Sequence, residues 1–300
     1  MLFVPADRGR FYEKLRELHP DAVILDLEDA VAPSAKEAAR SELARRLGTE
    51  LISWLPVFVR LNRMGSSDFH ADVRAAVRPG LYGVLLPKAE SAQDLREANM
   101  ALAQAELRAG LPIGSVKLVP VVETVRGVLA VHEIVGAAPR VFGVGFGAED
   151  FSLDLGVERS REGIESIYPR AQVALAARAA GVFAFDGPWA IIDDQDGLRR
   201  EAAEASQLGF SGKQAIHPSQ IAPINAAFVP SPAAVSRATR VVALYEDALA
   251  RGVGAVQIDG ELIDVPMVER ARRTLARATG SASPKRAGTT SAEVRLREQP

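Results

Sequence analysis

The 300-residue chain contains no cysteine. Disulfides, thiolate nucleophiles and cysteine-ligated zinc are therefore excluded. Histidine is scarce: His19, His70, His132 and His217 are the only four, and none stands in HExxH spacing. No apolar run approaches the ~18 residues that cross a bilayer. The opening Met1-Leu2-Phe3-Val4-Pro5, followed at once by charge, does not read as a signal peptide. Neither sign of charge dominates. Lys and Arg number 36 and Asp and Glu 38, a net charge of −2, so no basic surplus advertises a nucleic-acid partner. The phosphate loop G-x-x-x-x-G-K-[ST] and the nucleophile elbow G-x-S-x-G are both missing. These absences leave a cytoplasmic enzyme or binding protein with no nucleic-acid and no membrane partner.

What is present is enough for a large core: 48% of residues are hydrophobic and 25% charged. Short apolar runs at Leu2–Pro5, Ala22–Leu27, Val57–Leu61, Gly83–Pro87, Leu118–Glu123, Val141–Gly145, Phe183–Phe185 and Gly212–Ile216 alternate with longer Ala/Leu/Arg/Glu segments. The runs do not alternate with polar residues, as befits strands buried on both faces. Helix starts are signalled by Ser34 with Glu37, Ser91 with Asp94, Thr124, and Asp194 or Asp196. Eight strand–helix units fit an open doubly wound sheet or a closed barrel, and at this length they favour an α/β fold of the (β/α)8 TIM-barrel type. The barrel spans residues 1–225. Residues 226–279 read as a C-terminal helical extension, too small for an independent core, that packs on the barrel or a neighbouring subunit. Residues 280–300, rich in Ser, Thr, Gly and charge, read as a disordered tail.

In such a barrel the chemistry sits at the carboxyl ends of the strands. Those positions hold Asp26-Leu27-Glu28-Asp29, Arg60-Leu61-Asn62, Lys88, Glu123-Thr124, Gly147-Ala148-Glu149-Asp150 and His217-Pro218. Carboxylates crowd one rim, and crowded like charges are costly unless neutralised. A hard divalent cation on Glu123 and Asp150 would neutralise them. Helix capping, or pairing with Arg60, Arg126 or Lys88, would do so equally well. Gly143-Val-Gly145-Phe-Gly147-Ala148 matches the dinucleotide fingerprint, but Glu149-Asp150 would repel a pyrophosphate. The glycines read better as room for backbone to approach a ligand. His217 either touches substrate or fixes the Pro218 turn. Arg8, Arg10, Lys14 and Lys36 either hold an anionic cofactor tail or form ordinary solvated faces.

These stretches carry a resemblance. Leu2-Phe-Val-Pro-Ala-Asp-Arg8, Val23-Ile-Leu-Asp-Leu-Glu-Asp29, Val59-Arg-Leu-Asn62, Leu86-Pro-Lys88, Val122-Glu-Thr124, Phe146-Gly-Ala-Glu-Asp150 and Ala215-Ile-His-Pro-Ser-Gln-Ile221 occur in order along nearly the whole barrel. The sequence resembles the citrate lyase β-subunit-like branch of the HpcH/HpaI aldolase superfamily, which includes malyl-CoA and citramalyl-CoA lyases. The resemblance implies Mg²⁺, or Mn²⁺ in its place, on Glu123 and Asp150. It implies an active-site arginine at Arg60, substrate carboxylate contact at Gly147 and Ala148, and water held by Glu28 and Asp29. It further implies an acid supplied to a neighbouring subunit from an Ile-Asp-x-Pro segment, here Asp264 in Ile263-Asp264-Val265-Pro266. That acid acting in trans requires an oligomer, by analogy a homotrimer or hexamer.

The implied reaction is a Mg²⁺-dependent retro-Claisen cleavage, or its reverse. A 3-hydroxyacyl-CoA such as malyl-CoA or citramalyl-CoA gives acetyl-CoA and glyoxylate or pyruvate. Lys88 joins Arg60, Glu123 and His217 among the substrate contacts. The carboxylates near it would keep it charged, which argues against a Schiff base. Met64, Leu85, Leu118 and Phe146 are the residues that could select the acid partner. Three alternatives stand beside this reading. They are a malyl-CoA thioesterase or malate synthase-like activity, a lyase subunit acting on a citryl carrier protein, and a non-catalytic acyl-CoA-binding barrel.

Overall fold

The structure is a computed structural model and describes residues 1–7, 10–49 and 54–279. Its first compact unit runs Met1–Ile224 and the second begins at Asn225.

Eight parallel strands build the first unit: β1 (Leu2–Pro5), β2 (Val23–Asp26), β3 (Val57–Arg60), β4 (Gly83–Leu86), β5 (Lys117–Val122), β6 (Gly143–Phe146), β7 (Phe183–Asp186) and β8 (Gly212–Lys213). They pair strictly in chain order. Around them lie α1 (Arg10–Leu18), α2 (Lys36–Arg46), α3 (Phe69–Ala76), α4 (Ala92–Arg108), α5 (Val125–Gly136), α6 (Ala148–Leu155), α7 (Ile164–Ala180), α8 (Gln195–Leu208) and α9 (Ile221–Phe228). The sheet closes on itself. Past β8, Ala215 leaves β7 and donates to Met1 O while accepting from Phe3 N, both at 2.8 Å. This switch of partner is why β8 is two residues long, where the sequence predicts five. The result is the expected (β/α)8 barrel.

Strands β2 and β4 are buried at every residue. The barrel interior is filled by Ala22, Ile24, Phe58, Leu85, Val119 and Val121, with Phe3, Phe142 and Phe185 against them. Three helix starts form as their sequences dictate. Ser91 and Asp94 make a reciprocal capping box on α4, Thr124 accepts from Gly127 N, and Asp194 accepts from Gly197 N. Ser34 does not cap α2 as expected. Pro33–Ala35 forms a 3₁₀ turn, and α2 starts beyond it from Ala35 with no side-chain cap.

The second unit contains α10 (Pro232–Ala250), the hairpin strands β9 (Val256–Ile258) and β10 (Glu261–Ile263), and α11 (Val265–Ala278). Contrary to expectation, it has a small core of its own, in which Ala238, Val241, Tyr245, Ile258, Ile263, Val268 and Ala271 are buried. Ser231 caps α10 and Asp264 caps α11. Among the described residues, no helix is long and apolar enough to cross a membrane. Residues 280–300, expected to form the tail, lie outside the described residues.

Candidate active site

Strands β2 and β3 present a carboxylate–arginine pair at their ends. Their register places Asp26 opposite Arg60. Arg60 Nε and Nη2 donate to the two Asp26 oxygens at 2.7 and 2.6 Å. Asp26 also accepts the backbone N–H groups of Glu28 and Ala30, so it is fully committed. This bidentate clamp fixes the plane of the guanidinium, which also lies 4.9 Å from the Phe3 ring centroid. Nη1 then faces Glu28 Oε2 at 2.9 Å and Asp29 Oδ2 at 3.6 Å. Glu28 Oε2 is buried, and its partner there is the Arg60 guanidinium, in an ion pair without hydrogen-bond alignment.

Strands β4 to β6 supply the rest. Lys88 adopts φ 50°, a left-handed backbone unusual for a residue with a side chain. That turn aims its N–H at Glu123 Oε1, 2.8 Å away. Its ammonium lies 3.3 Å from Glu28 Oε1 and 3.2 Å from Asp150 Oδ1. Glu123, the residue after β5, is 3% exposed. Gly147, the residue after β6, must lack a side chain. A Cβ there would stand 2.3 Å from Glu123 Oε2 and 2.7 Å from Glu123 Cβ. Asp150 sits in the first turn of α6.

The Lys88 ammonium thus meets Glu28 and Asp150 and its backbone N–H meets Glu123, so Lys88 and Arg60 together face more carboxylates than they can neutralise. The electrostatics record the imbalance. Burial, reinforced by Asp150 and Glu28, pushes the Glu123 carboxyl up to about 8 against the opposing charge of Lys88. Burial raises Glu28 as well, against Arg60. For Lys88, burial disfavours the ammonium, but Glu28, Glu123 and Asp150 outweigh it and hold the group above the usual lysine range. Lys88 is therefore charged, as expected of a residue unsuited to a Schiff base.

The donor set fits a hard cation. It offers only oxygen, and its carboxylates outnumber the Arg60 and Lys88 cations that meet them. Among the described residues no group of three or more His, Cys, Asp or Glu closes on one point. A cation on Glu123 and Asp150 would therefore complete its shell with water and substrate oxygens, the habit of Mg²⁺.

The remaining sequence expectations fare differently. Lys36 does not reach for an anionic tail. Its ammonium donates to Leu27 O, Glu28 O and Asn62 Oδ1 at 2.7–2.9 Å, so all three of its N–H groups are spent holding the β2 and β3 ends together. Gly147 N–H is spent too, on Val122 O at 3.1 Å. It is not available to a substrate carboxylate, whereas the first-turn N–H groups of α6, from Ala148 on, have no intrahelical partner. His217 is exposed and caps the turn at Pro218–Gln220, its Nδ1 2.8 Å from Ser219 Oγ. The structure thus shows the turn-fixing contact. Lys14 is exposed on α1, Asp29 is exposed, and Met64 is half-buried in the loop after β3. Arg8 lies outside the described residues. Asp26 and Asn62 were not singled out from sequence. Asp26 stands in the same Asp26-Leu27-Glu28-Asp29 run as the chosen acids. A parity argument would have found it, since alternate strand residues share one face.

With this geometry established, comparison with known proteins decides the family. The HpcH/HpaI aldolase/citrate lyase profile matches residues 1–218. The chain belongs to the HpcH/HpaI aldolase/citrate lyase family. It is 37% identical to the citrate lyase subunit β of Haemophilus influenzae over 278 residues, covering 93% of this chain and 96% of the relative. It is 35% identical to a (3S)-malyl-CoA thioesterase of Cereibacter sphaeroides over 283 residues, covering 94% and 95%. Among solved structures, Mycobacterium tuberculosis CitE in complex with magnesium, acetoacetate and coenzyme A superposes with a TM-score of 0.78 at 34% identity, covering 93% of this chain and 97% of that one. The match supports a lyase of this family, and magnesium and coenzyme A are held by the M. tuberculosis CitE structure.

Proposed function

We propose that this protein is a Mg²⁺-dependent carbon–carbon lyase acting on a 3-hydroxyacyl-CoA thioester such as malyl-CoA or citramalyl-CoA, releasing acetyl-CoA and glyoxylate or pyruvate. The observation that carries the reading is the crowding of carboxylates around Lys88: its ammonium meets Glu28 and Asp150, its backbone N–H meets the buried Glu123, and Arg60 also pairs with Glu28. Crowded buried carboxylates cost stability, and a bound cation would relieve that cost.

In this reading Glu123 and Asp150 hold Mg²⁺. When bound, the ion supplies Lewis-acid polarisation of a substrate oxygen. Arg60, oriented by Asp26, stabilises negative charge as it develops on the substrate oxygen. The first-turn N–H groups of α6, beginning with Ala148, receive the substrate carboxylate, favoured by the helix dipole. Glu28 and Asp29 orient water, and Glu28 accepts the proton of the substrate hydroxyl. The C–C bond then breaks, its electrons passing to the thioester as an enolate. Asp264, from a neighbouring copy of the chain, protonates that enolate carbon. This last step makes a homo-oligomer, a trimer or hexamer, part of the proposal.

Two other outcomes have specific support. The relatives named (3S)-malyl-CoA thioesterase favour hydrolysis of the thioester by the same acids. The citrate lyase β relatives favour a thioester carried by a protein. The test is to incubate purified protein with malyl-CoA and citramalyl-CoA, with and without Mg²⁺, following 2-oxo acid and free thiol separately. A 2-oxo acid without free thiol, abolished by EDTA, is the expected result. Free thiol without 2-oxo acid would replace the lyase with the thioesterase. Neither product would reject both and direct attention to a carrier-protein substrate or a non-catalytic acyl-CoA-binding barrel.

A further inference from the structure

Lys88 occupies a costly position. Its φ of 50° is a conformation that a residue with a Cβ adopts only at an energetic penalty. The conformation serves two contacts at once, the backbone N–H to Glu123 at 2.8 Å and the ammonium to Asp150 at 3.2 Å. Both carboxylates are those assigned above to the cation. The third contact, Glu28 at 3.3 Å, anchors the ammonium from the other side. The Lys88 side chain is 29% exposed and that of Asp150 31% exposed, so neither is locked in the core. A long flexible stem with a compact charge can leave such a place without disturbing the backbone turn that holds Glu123.

We infer that the Lys88 ammonium is a resident counter-ion that stands in for the divalent cation. It neutralises Asp150 while the cation is away, and it competes with the cation for that carboxylate. The inference rests on the reading of Glu123 and Asp150 as the cation's ligands. With both side chains partly exposed, solvent screens the attraction between the ammonium and Asp150. The competition therefore sets cation affinity without abolishing it. It also predicts a sign opposite to that of a structural role. Removing a residue that merely organises the site weakens cation binding, whereas removing a competitor strengthens it.

The experiment measures Mn²⁺ binding to the metal-free full chain by electron paramagnetic resonance, on wild type, Lys88→Met and Lys88→Asn. Methionine keeps the stem, and asparagine tolerates the left-handed backbone. The expected result is a Kd for Mn²⁺ about tenfold lower in both variants, together with reduced kcat on the thioester that wild type turns over, since a competitor's loss and a catalytic gain need not coincide. Unchanged or weaker Mn²⁺ binding in both variants would overturn the inference. Glu123→Gln and Asp150→Asn, measured alongside, keep the two questions apart. If wild type binds Mn²⁺ and these variants do not, the site assignment stands whatever Lys88 does. If no variant binds Mn²⁺, the assignment falls and the competition falls with it.

Discussion

The barrel carries two clusters of buried charge at its strand ends, and they are built to opposite plans. The cluster on β2 to β6 sets Asp26, Glu28, Glu123 and Asp150 against Arg60 and Lys88. The cluster on β7 and β8 sets Asp186 and Glu201 against Lys213, Arg170 and Arg159. Lys213 Nζ donates to Asp186 at 2.7 Å and to Glu201 and Gly187 O at 2.5 Å. Arg170 pairs with both Asp186 oxygens at 3.1 Å. Arg159 donates to Glu201 at 2.6 Å, pairs with Glu149 and lies over the Trp189 ring. The residue types are alike, but the charge balance differs, and the second cluster is the more deeply buried. Burial opposes the charge of Asp186, yet Lys213 and Arg170 hold its carboxyl below the usual range. Burial and like charges together push Glu123 up to about 8. A matched buried network is scaffold. A mismatched one awaits a partner.

The largest expected effect tests the matched side. Lys213→Met leaves Asp186 and Glu201 buried without their ammonium, and should cost about 3–5 kcal/mol of stability by urea unfolding. A cost under ~1 kcal/mol would remove the contrast between the clusters.

Glu123→Gln tests the mismatched side. Turnover should fall about 10²–10³-fold, equivalent to about 3–4 kcal/mol of barrier, while the metal-free protein at pH 8 loses no stability. Destabilisation comparable to that of Lys213→Met would mark Glu123 as scaffold. Gly147→Ala, which forces a methyl against Glu123, should lower turnover by about tenfold or more. Wild-type turnover in that variant would mean that Glu123 is free to move without consequence.

The smallest effect is the pH dependence of the metal-free fold. Because the folded-state value of Glu123 is raised to about 8, the folded state binds its proton more tightly than the unfolded one. Stability is therefore greatest at low pH for this group and falls as pH rises toward 8, by about 1 kcal/mol between pH 7 and pH 8. Thermal melts in EDTA across that window should show the decline in wild type and its absence in Glu123→Gln. Equal slopes would assign the decline to another group.

Much of this was legible in the chain itself. Eight unbroken apolar runs and the caps Ser91, Thr124 and Asp194 specified the barrel, because burial on both faces and satisfaction of helix N–H groups are local demands. The position of an acid after a strand nominated Glu123 and Asp150, and the family resemblance added Glu28. What stayed hidden was where long cationic side chains end. Lys36, Lys88 and Lys213 each follow or end a strand or begin a helix, so sequence treats them alike. One ties two strands, one faces a surplus of acids, and one completes a matched network.

The sequence alone thus determined eight strand–helix units and which strand ends hold carboxylates, since periodicity and capping are read residue by residue, while closure came with the pairing of Ala215 to the first strand. Only the tertiary structure decided that Asp26 clamps Arg60, that Gly147 yields its place to Glu123, and that the acids of β2 to β6 outnumber their bases while those of β7 and β8 do not. The Coulomb energy of a side chain depends on distances to residues tens of positions away, and those distances exist only once the barrel has closed.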